Sequence, residues 1–442
     1  MRRPRGNRGK PGTEFLTTEL AEETEHTPSF SVNSVASVVK NPPLPRRTPL
    51  PLPTSKAIET HDAIVIGAGP AGLASSRELT RAGIRHLVLE RGETIGHTWV
   101  HLYDGLVLHT GKHLSALPGM PFPSSTPLFP SREDFVDYLR LYARGFDLPV
   151  QTGADVESVT GNDEHWIIGL RGGVAMRSRV IVVATGIVSN PNAPEIPHKE
   201  RFKGRIIHSV EYRRPQPFAN QRVLVVGAGN SSGEICAELA NAGAHVTVAI
   251  RSGARVVPRE LFGIPVQYIG AVLDTLPPPV LRRAMRVTSA IADRFRGSSP
   301  LPPPTENPCA AVPLIGFHLT DGIRTGRIQL RRGLQEFTPQ GVRFVDGSEQ
   351  PFETVILATG YRAALGMFGS SIARDRCGFG ARTNRVISTD SPDLYFVGHN
   401  YGPAGGLRNI GRDARLAARL IADRLHGTGQ RHTQTRQQPS GR

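Results

Sequence analysis

The sequence predicts an α/β fold of two parallel-sheet domains, and three observations predict it. Short Val/Ile-rich runs alternate with helix-like stretches. A strand, a glycine-rich turn, a helix and a second strand follow one another twice. Each copy is later joined by an apolar run ending in Ala-Thr-Gly, "VIVVATG" at 180–186 and "VILATG" at 355–360. Apolar runs of this length, alternating with helices, fit strands buried on both faces of a parallel sheet. A unit that recurs along one chain fits two such sheets. Together these features specify two Rossmann-like dinucleotide-binding domains with β-meander insertions.

The elements follow in order. Residues 1–56 carry "NPPLPRRTPLPLPTSK" and few large apolar side chains, so they are expected to stay disordered. Residues 57–205 form the first segment of the first domain. Its strand Ala63–Ile66 leads through a turn into a helix ending near Gly83, and the strand His86–Leu89 follows. Residues 206–358 form the second domain, with strand Val223–Val226, a helix to Gly243 and strand His245–Ile250. Residues 359–426 return to the first domain. Residues 427–442 read as a disordered tail. The stretch 280–296 places Val280, Leu281, Ala284, Val287, Ile291 and Phe295 at helical spacing, with five arginines among them. Core packing is its simpler reading, and a membrane-surface or partner helix the other.

The glycine turns carry the chemistry. In Gly67-Ala-Gly69-Pro70-Ala71-Gly72, Gly67 permits a tight turn. Gly69 lets a pyrophosphate approach the backbone, and Gly72 lets helix and strand pack closely. The helix N-terminus then offers free N–H groups and a partial positive charge to the phosphates. Glu90 ends the second strand 21 positions after Gly69, where a carboxylate accepts from both ribose hydroxyls and repels a 2′-phosphate; Arg91 follows it. The second turn is Gly227-Ala-Gly229-Asn230-Ser231-Ser232. Ser232 stands at the third glycine position, which predicts slightly looser packing. Its second strand ends in Arg251-Ser252, a guanidinium and a hydroxyl suited to a 2′-phosphate. One acidic and one basic site point to FAD in the first domain and NADPH in the second. The plainer alternatives are a ligand-free glycine turn and a solvated arginine.

Composition narrows the remaining classes. The chain has 442 residues, a formal net charge of +15, 38% hydrophobic and 6% aromatic residues. The charge invites nucleic acid, but the arginines are scattered and no nucleic-acid motif accompanies them; anionic cofactors account for part of the excess. Cys236, Cys309 and Cys377 are far apart and form no Cys-x-x-Cys, so neither a redox dithiol nor a paired metal site is expected. A reduced, cytoplasmic protein is the simplest reading. No apolar run reaches the roughly 18 residues of a membrane span, and the basic start "MRRPRGNRGK" has no apolar stretch after it. Oligomeric state is not encoded in any feature of the sequence.

Between the two glycine turns stands "RFKGRIIHSVEYRRP" (201–215). Physically it reads as a linker: Phe202 packs, Gly204 turns, and His208 satisfies a backbone group. Its Phe202-x-Gly204-x-x-x-His208-x-x-x-Tyr212 pattern also resembles the signature of class B flavin monooxygenases. Baeyer–Villiger relatives have Trp where Tyr212 stands. "LYDGLVLHTGKHLSALPGMPFP" (102–123) closely resembles the plant YUCCA-type subgroup, as do Arg259-Glu-Leu-Phe-Gly263, "ILATGYR" (356–362) and, more loosely, "PLIGFHLTDGIRTGRIQL" (313–330). The resemblance spans about residues 60–426. It implies that NADPH reduces FAD, that O2 adds at flavin C4a, and that the (hydro)peroxide passes one oxygen to a small organic substrate. A 2-oxo acid such as indole-3-pyruvate, decarboxylated oxidatively, is one such substrate. Soft N or S nucleophiles are another.

The resemblance also implies site residues. Gly96-His-Thr-Trp99 matches a Gly-x-x-Trp placed after the first unit. His109 stands where animal-type relatives have Asn and YUCCA-type ones His; it and Lys112 are candidates to hydrogen-bond the peroxide or the NADP ribose. Asn230 is a candidate at the pyrophosphate or nicotinamide. Gly186, Gly360, Gly398 and Leu407 complete the cofactor set. His399 replaces the Asp that many flavoproteins keep for the ribityl chain. The alternatives are an NADPH-dependent flavin oxidoreductase or oxidase that makes H2O2 or feeds a partner, and a non-catalytic nucleotide sensor.

Overall fold

The computed structural model of the chain describes residues 59–161, 165–261, 263–273, 298–304, 313–400 and 405–435, with the single residues 280, 283 and 309. The leader 1–56 and most of 280–296 lie outside the described residues. Among the described residues no helix is long and apolar enough to cross a membrane, and no group of three or more His, Cys, Asp or Glu is arranged to hold a metal.

The first sheet sets Leu394–Phe396, Ala175–Val183, Thr60–Ile66, His86–Leu89 and Val150–Gln151 side by side and parallel. The second runs Ile328–Arg332, His245–Ile250, Arg222–Val226, Thr354–Leu357 and Arg205–His208, again all parallel. Successive side chains of a strand face opposite ways, and both sheets use both faces. Ala63 and Val65 pack on one side of the first sheet and Ile64 and Ile66 on the other. In the second sheet Val223 and Val225 oppose Leu224 in the same way. This is why the strands read as unbroken apolar runs.

The β-meander insertions are present. Val156–Gly161, Trp166–Leu170 and Ala175–Val183 form one antiparallel meander. Leu334–Phe337, Gly341–Phe344 and Glu349–Pro351 form the other. Four helices matter for the site: α1 (Pro70–Arg81), α2 (Arg132–Gly145), α3 (Asn230–Asn241) and α4 (Gly406–Thr435). Tyr138 and Tyr142 of α2 reach down to the carbonyls of Met120 and Pro118 at 2.7 and 2.6 Å, which pins the chain just after residues 109–116. Fully buried Asp413 of α4 accepts from Arg385 at 2.8 Å and from Asn400 at 2.6 Å. A buried carboxylate is tolerated only with such partners, and these tie α4 to the strand end carrying Gly398.

Two expectations are corrected. Backbone helix continues past Gly427 to Thr435, because no proline interrupts it before Pro439. Cys309 and Cys377 form a disulfide across a sequence separation of 68, with Cα atoms 5.2 Å apart. Distance along the chain argued against pairing, but the fold brings the two loops together. The bond also removes the ground for expecting a reduced compartment. Cys236 is buried and free, its thiol pushed up to about 12 by burial.

Leu224 is fully buried in the second sheet, whereas Val345 is 58% exposed. Leu224→Ala is expected to cost about 2–5 kcal/mol, and Val345→Ala no more than about 0.5 kcal/mol. Urea midpoints of the two variants against the parent chain check this.

Candidate active site

Each glycine turn is wedged beneath the end of an Ala-Thr-Gly strand. A Cβ at Gly67 would lie 2.7 Å from the carbonyl oxygen of Ala184, and one at Gly227 would lie 2.2 Å from that of Ala358. Both glycines also have positive φ, 103° and 136°, so no L side chain suits either place. Above the turns the space opens. A Cβ at Gly69 or Gly229 would meet nothing within 4 Å.

Helices α1 and α3 begin at those open glycines, and neither has a side-chain cap. Helix α2, by contrast, carries a full capping box from Ser131 and Asp134. Uncapped first-turn N–H groups call for an acceptor, and a pyrophosphate supplies one. Pro70 at the start of α1 has no N–H to leave unpaired. Half-buried Glu90 accepts from the backbone N–H of Ala68 at 2.7 Å and of Gly92 at 2.9 Å, so its carboxylate is held at the strand end beside the turn. Arg251 is exposed at the corresponding strand end of the second domain, and Ser252 beside it is half-buried. These donors and acceptors fit FAD at the first turn and NADPH at the second.

Ser232 behaves differently from a third glycine. A Cβ at Gly72 would lie 1.7 Å from the Gly67 oxygen, whereas Ser232 is fully buried and donates its hydroxyl to the Gly227 oxygen at 2.8 Å. The hydrogen bond replaces the close helix–strand contact.

From the first turn a path leads to the second. A Cβ at Gly398 would touch that of Ala71, 3.1 Å away, and one at Gly405 would lie 2.8 Å from Thr110 Oγ1. Thus α1, the Gly398 strand end, the start of α4 and residues 109–111 adjoin one another. His109 then bonds Glu234 of α3, Nε2 to Oε1, at 2.5 Å. The other carboxylate oxygen of Glu234 accepts from the hydroxyl of buried Tyr103. Arg259 donates to the carbonyl of Leu108 at 2.8 Å and lies 4.1 Å over the ring of Phe129. One turn along α3, Glu238 accepts from Tyr212 at 2.8 Å, and burial raises its carboxyl above the ordinary range. Burial and the carboxylates push both tyrosine hydroxyls far up, so they stay donors.

The remaining candidates fall into place individually. Lys112 is half-buried and bonds the carbonyls of Ser124 at 3.0 Å and Thr126 at 2.6 Å; it pins a loop. Asn230 donates to the Pro313 carbonyl at 3.1 Å and accepts from Ile315 N–H at 2.8 Å. Its amide clamps the strand Leu314–Ile315. Trp99 stacks edge-on against Phe135 at 4.5 Å. Leu407 packs on the first core. Arg91 is exposed, Ser231 half-buried. Gly186 and Gly360 have positive φ just after the two Ala-Thr strand ends.

His399 lies against two aromatic rings. Its ring lies 5.3 Å from Phe379 and 5.2 Å from Phe396, on the side of the sheet away from Ala71. Both ring nitrogens are buried and unpartnered among the described residues. Burial drives the imidazole down to about 3, with Arg382 adding to the shift. The residue fills an aromatic pocket.

The linker motif is structural. Gly204 has no room for a Cβ between Phe202 and the Glu353 carbonyl. The N–H of Val210 donates to His208 Nδ1 at 3.2 Å, so Nε2 carries the proton that meets the Gly360 carbonyl at 3.1 Å. Burial keeps this imidazole neutral.

Glu234, Tyr103, Arg259 and Glu238 were absent from the sequence-predicted site. The signal that marks Glu234 is its place four residues after Asn230, on the same helical face.

Comparisons with known proteins show the family and the fold. A family model described as pyridine nucleotide-disulphide oxidoreductase matches residues 64–259. Indole-3-pyruvate monooxygenase YUCCA1 of Oryza sativa subsp. japonica is 36% identical over 311 residues, 68% of this chain and 77% of that protein. Indole-3-pyruvate monooxygenase YUCCA4 of the same plant is 32% identical over 400 residues, 85% of this chain and 90% of the relative. Among solved structures, a flavin-containing monooxygenase from Stenotrophomonas maltophilia superposes with a TM-score of 0.67 at 25% identity, covering 83% of this chain and all of that one.

A histidine whose folded pKa lies below its ordinary 6.5 takes up protons on unfolding. Stability from both residues is therefore intact above about pH 6.5 and falls as pH drops below it, for His399 down toward about 3, by at most about 1.4 kcal/mol per group per pH unit. His399→Phe fits the aromatic pocket and is expected to flatten this acid loss while leaving neutral-pH stability within about 1 kcal/mol. Thermal unfolding midpoints from pH 7 to pH 4 test it.

Proposed function

Because the chain belongs to the class B flavin monooxygenases, on their YUCCA-like branch, it is an FAD- and NADPH-dependent oxidoreductase, and we propose that it oxygenates and decarboxylates a small 2-oxo acid of the indole-3-pyruvate kind. One observation supports this reading above the others. Two uncapped helix N-termini, each behind an open glycine, lead along one path that meets at His109 and Glu234.

Bound FAD supplies the two-electron relay between NADPH and O2 that side chains cannot provide. In this reading the N–H groups of α1 hold its pyrophosphate, and Glu90 takes the ribose hydroxyls. The N–H groups of α3 hold the NADPH pyrophosphate. Arg251, with Ser252, takes the 2′-phosphate and thereby selects NADPH over NADH. Tyr103, His109 and Arg259 cover the junction between the domains and keep water from the reacting atoms. Asn230 and Lys112 fix the loops that bear on that cover. The reaction balances as 2-oxo acid, O2, NADPH and a proton giving the shortened acid, CO2, NADP⁺ and water.

Arg251→Ala is expected to weaken NADPH binding about 10- to 100-fold, the value of a lost charge-assisted contact, and to leave NADH binding within about twofold. Equal loss for both cofactors would show that Arg251 does not read the 2′-phosphate. With a suitable 2-oxo acid, CO2 released per NADPH consumed is expected near one. One H2O2 formed from O2 per NADPH oxidised, with every 2-oxo acid tried, would favour an oxidase instead.

A further inference from the structure

We infer that Glu234 is a positioning residue for His109: it fixes the ring with Nε2–H donated to its carboxylate and leaves Nδ1 as an acceptor for the N–H or O–H groups of the bound cofactors or substrate. This rests on the reading above only for what Nδ1 receives; the arrangement of the ring stands on its own.

Nothing in the shared glycine-turn chemistry demands a carboxylate one turn into α3. Its position is nonetheless fixed from two directions. Oε1 meets His109 Nε2 at 2.5 Å, and Oε2 takes the Tyr103 hydroxyl. A carboxylate has no proton to give, so it accepts from both. The tautomer of a histidine is set by the partner of one nitrogen, and here that partner makes Nε2 the donor. The imidazole keeps 21% of its side-chain surface exposed and the carboxylate 18%, so the pair is shielded yet reachable.

The charged surroundings are mixed. Arg259 faces Glu234 favourably, while Glu238 and, next to it, Asp104 add negative charge along the same side of α3. Tyr103 sits between these carboxylates and remains protonated. Glu234 belongs to the NADPH domain, whereas Tyr103 and His109 belong to the first domain. The ring that faces the junction is therefore oriented by the opposite domain.

The test is a long-range proton–nitrogen correlation spectrum of full-length protein labelled with 15N-histidine, with the His109 signal identified by its loss in His109→Asn. The wild type is expected to show His109 in the single Nε2–H form at pH 8. In Glu234→Gln the carboxamide donates as readily as it accepts, so the two neutral tautomers should mix. In the same variant CO2 released per NADPH consumed is expected to fall at least threefold. FAD content and NADPH affinity should stay within about twofold, and Glu234→Asp should restore part of the coupling. A wild-type His109 in the Nδ1–H form overturns the proposal without any variant, and so does an Nε2–H form unchanged in Glu234→Gln. If no 2-oxo acid is oxygenated by wild type, the functional reading fails, while the spectrum still decides the role of Glu234.

Discussion

The structure depends on one close approach made twice: the last carbonyl before a Thr-Gly strand end sits where the Cβ of a turn residue would be. Ala184 does this to Gly67 and Ala358 to Gly227. Only glycine fits, and only with positive φ. The contact sets where each helix begins and leaves its first N–H groups without a side-chain cap. In the proposed reading a nucleotide pyrophosphate satisfies those groups. Everything downstream, from the open space over Gly69 and Gly229 to the meeting of the two domains, follows from where these turns are held.

The junction between the domains is built from polar groups of opposite origin. Residues 102–109 bring Tyr103 and His109 from the first domain, and α3 brings Glu234 and Glu238 from the second. Reciprocal ties run nearby: Thr359 Oγ1 donates to the Asn192 carbonyl at 2.5 Å, and Asn192 returns a bond to the Thr359 carbonyl at 3.1 Å. His208 adds a third tie through Gly360. Such paired side-chain-to-backbone bonds hold the two chain crossings together.

Much of this was legible in the sequence, and the reasons are local. A glycine turn between a Val/Ile strand and a helix declares itself within six residues, and the Ala-Thr-Gly ends repeat it at a distance. The linker reading of Phe202, Gly204 and His208 needed only residue type and spacing. The misses all concern partners remote in sequence. Nothing near Asn230 announces the strand Leu314–Ile315 that its amide clamps. The packing of His399 against Phe379 and Phe396 needed the fold. Cys309 and Cys377 needed the fold to meet. Glu234 looked like an ordinary helical carboxylate because its two donors lie more than a hundred residues earlier.

The central claim is that the two cradles deliver their nucleotides to one shared junction. Anaerobic rapid mixing of the FAD-loaded protein with NADPH measures this directly. The account predicts that the flavin absorbance bleaches at a rate that saturates with NADPH. A flavin that stays oxidised in excess NADPH, yet bleaches with dithionite, would contradict it.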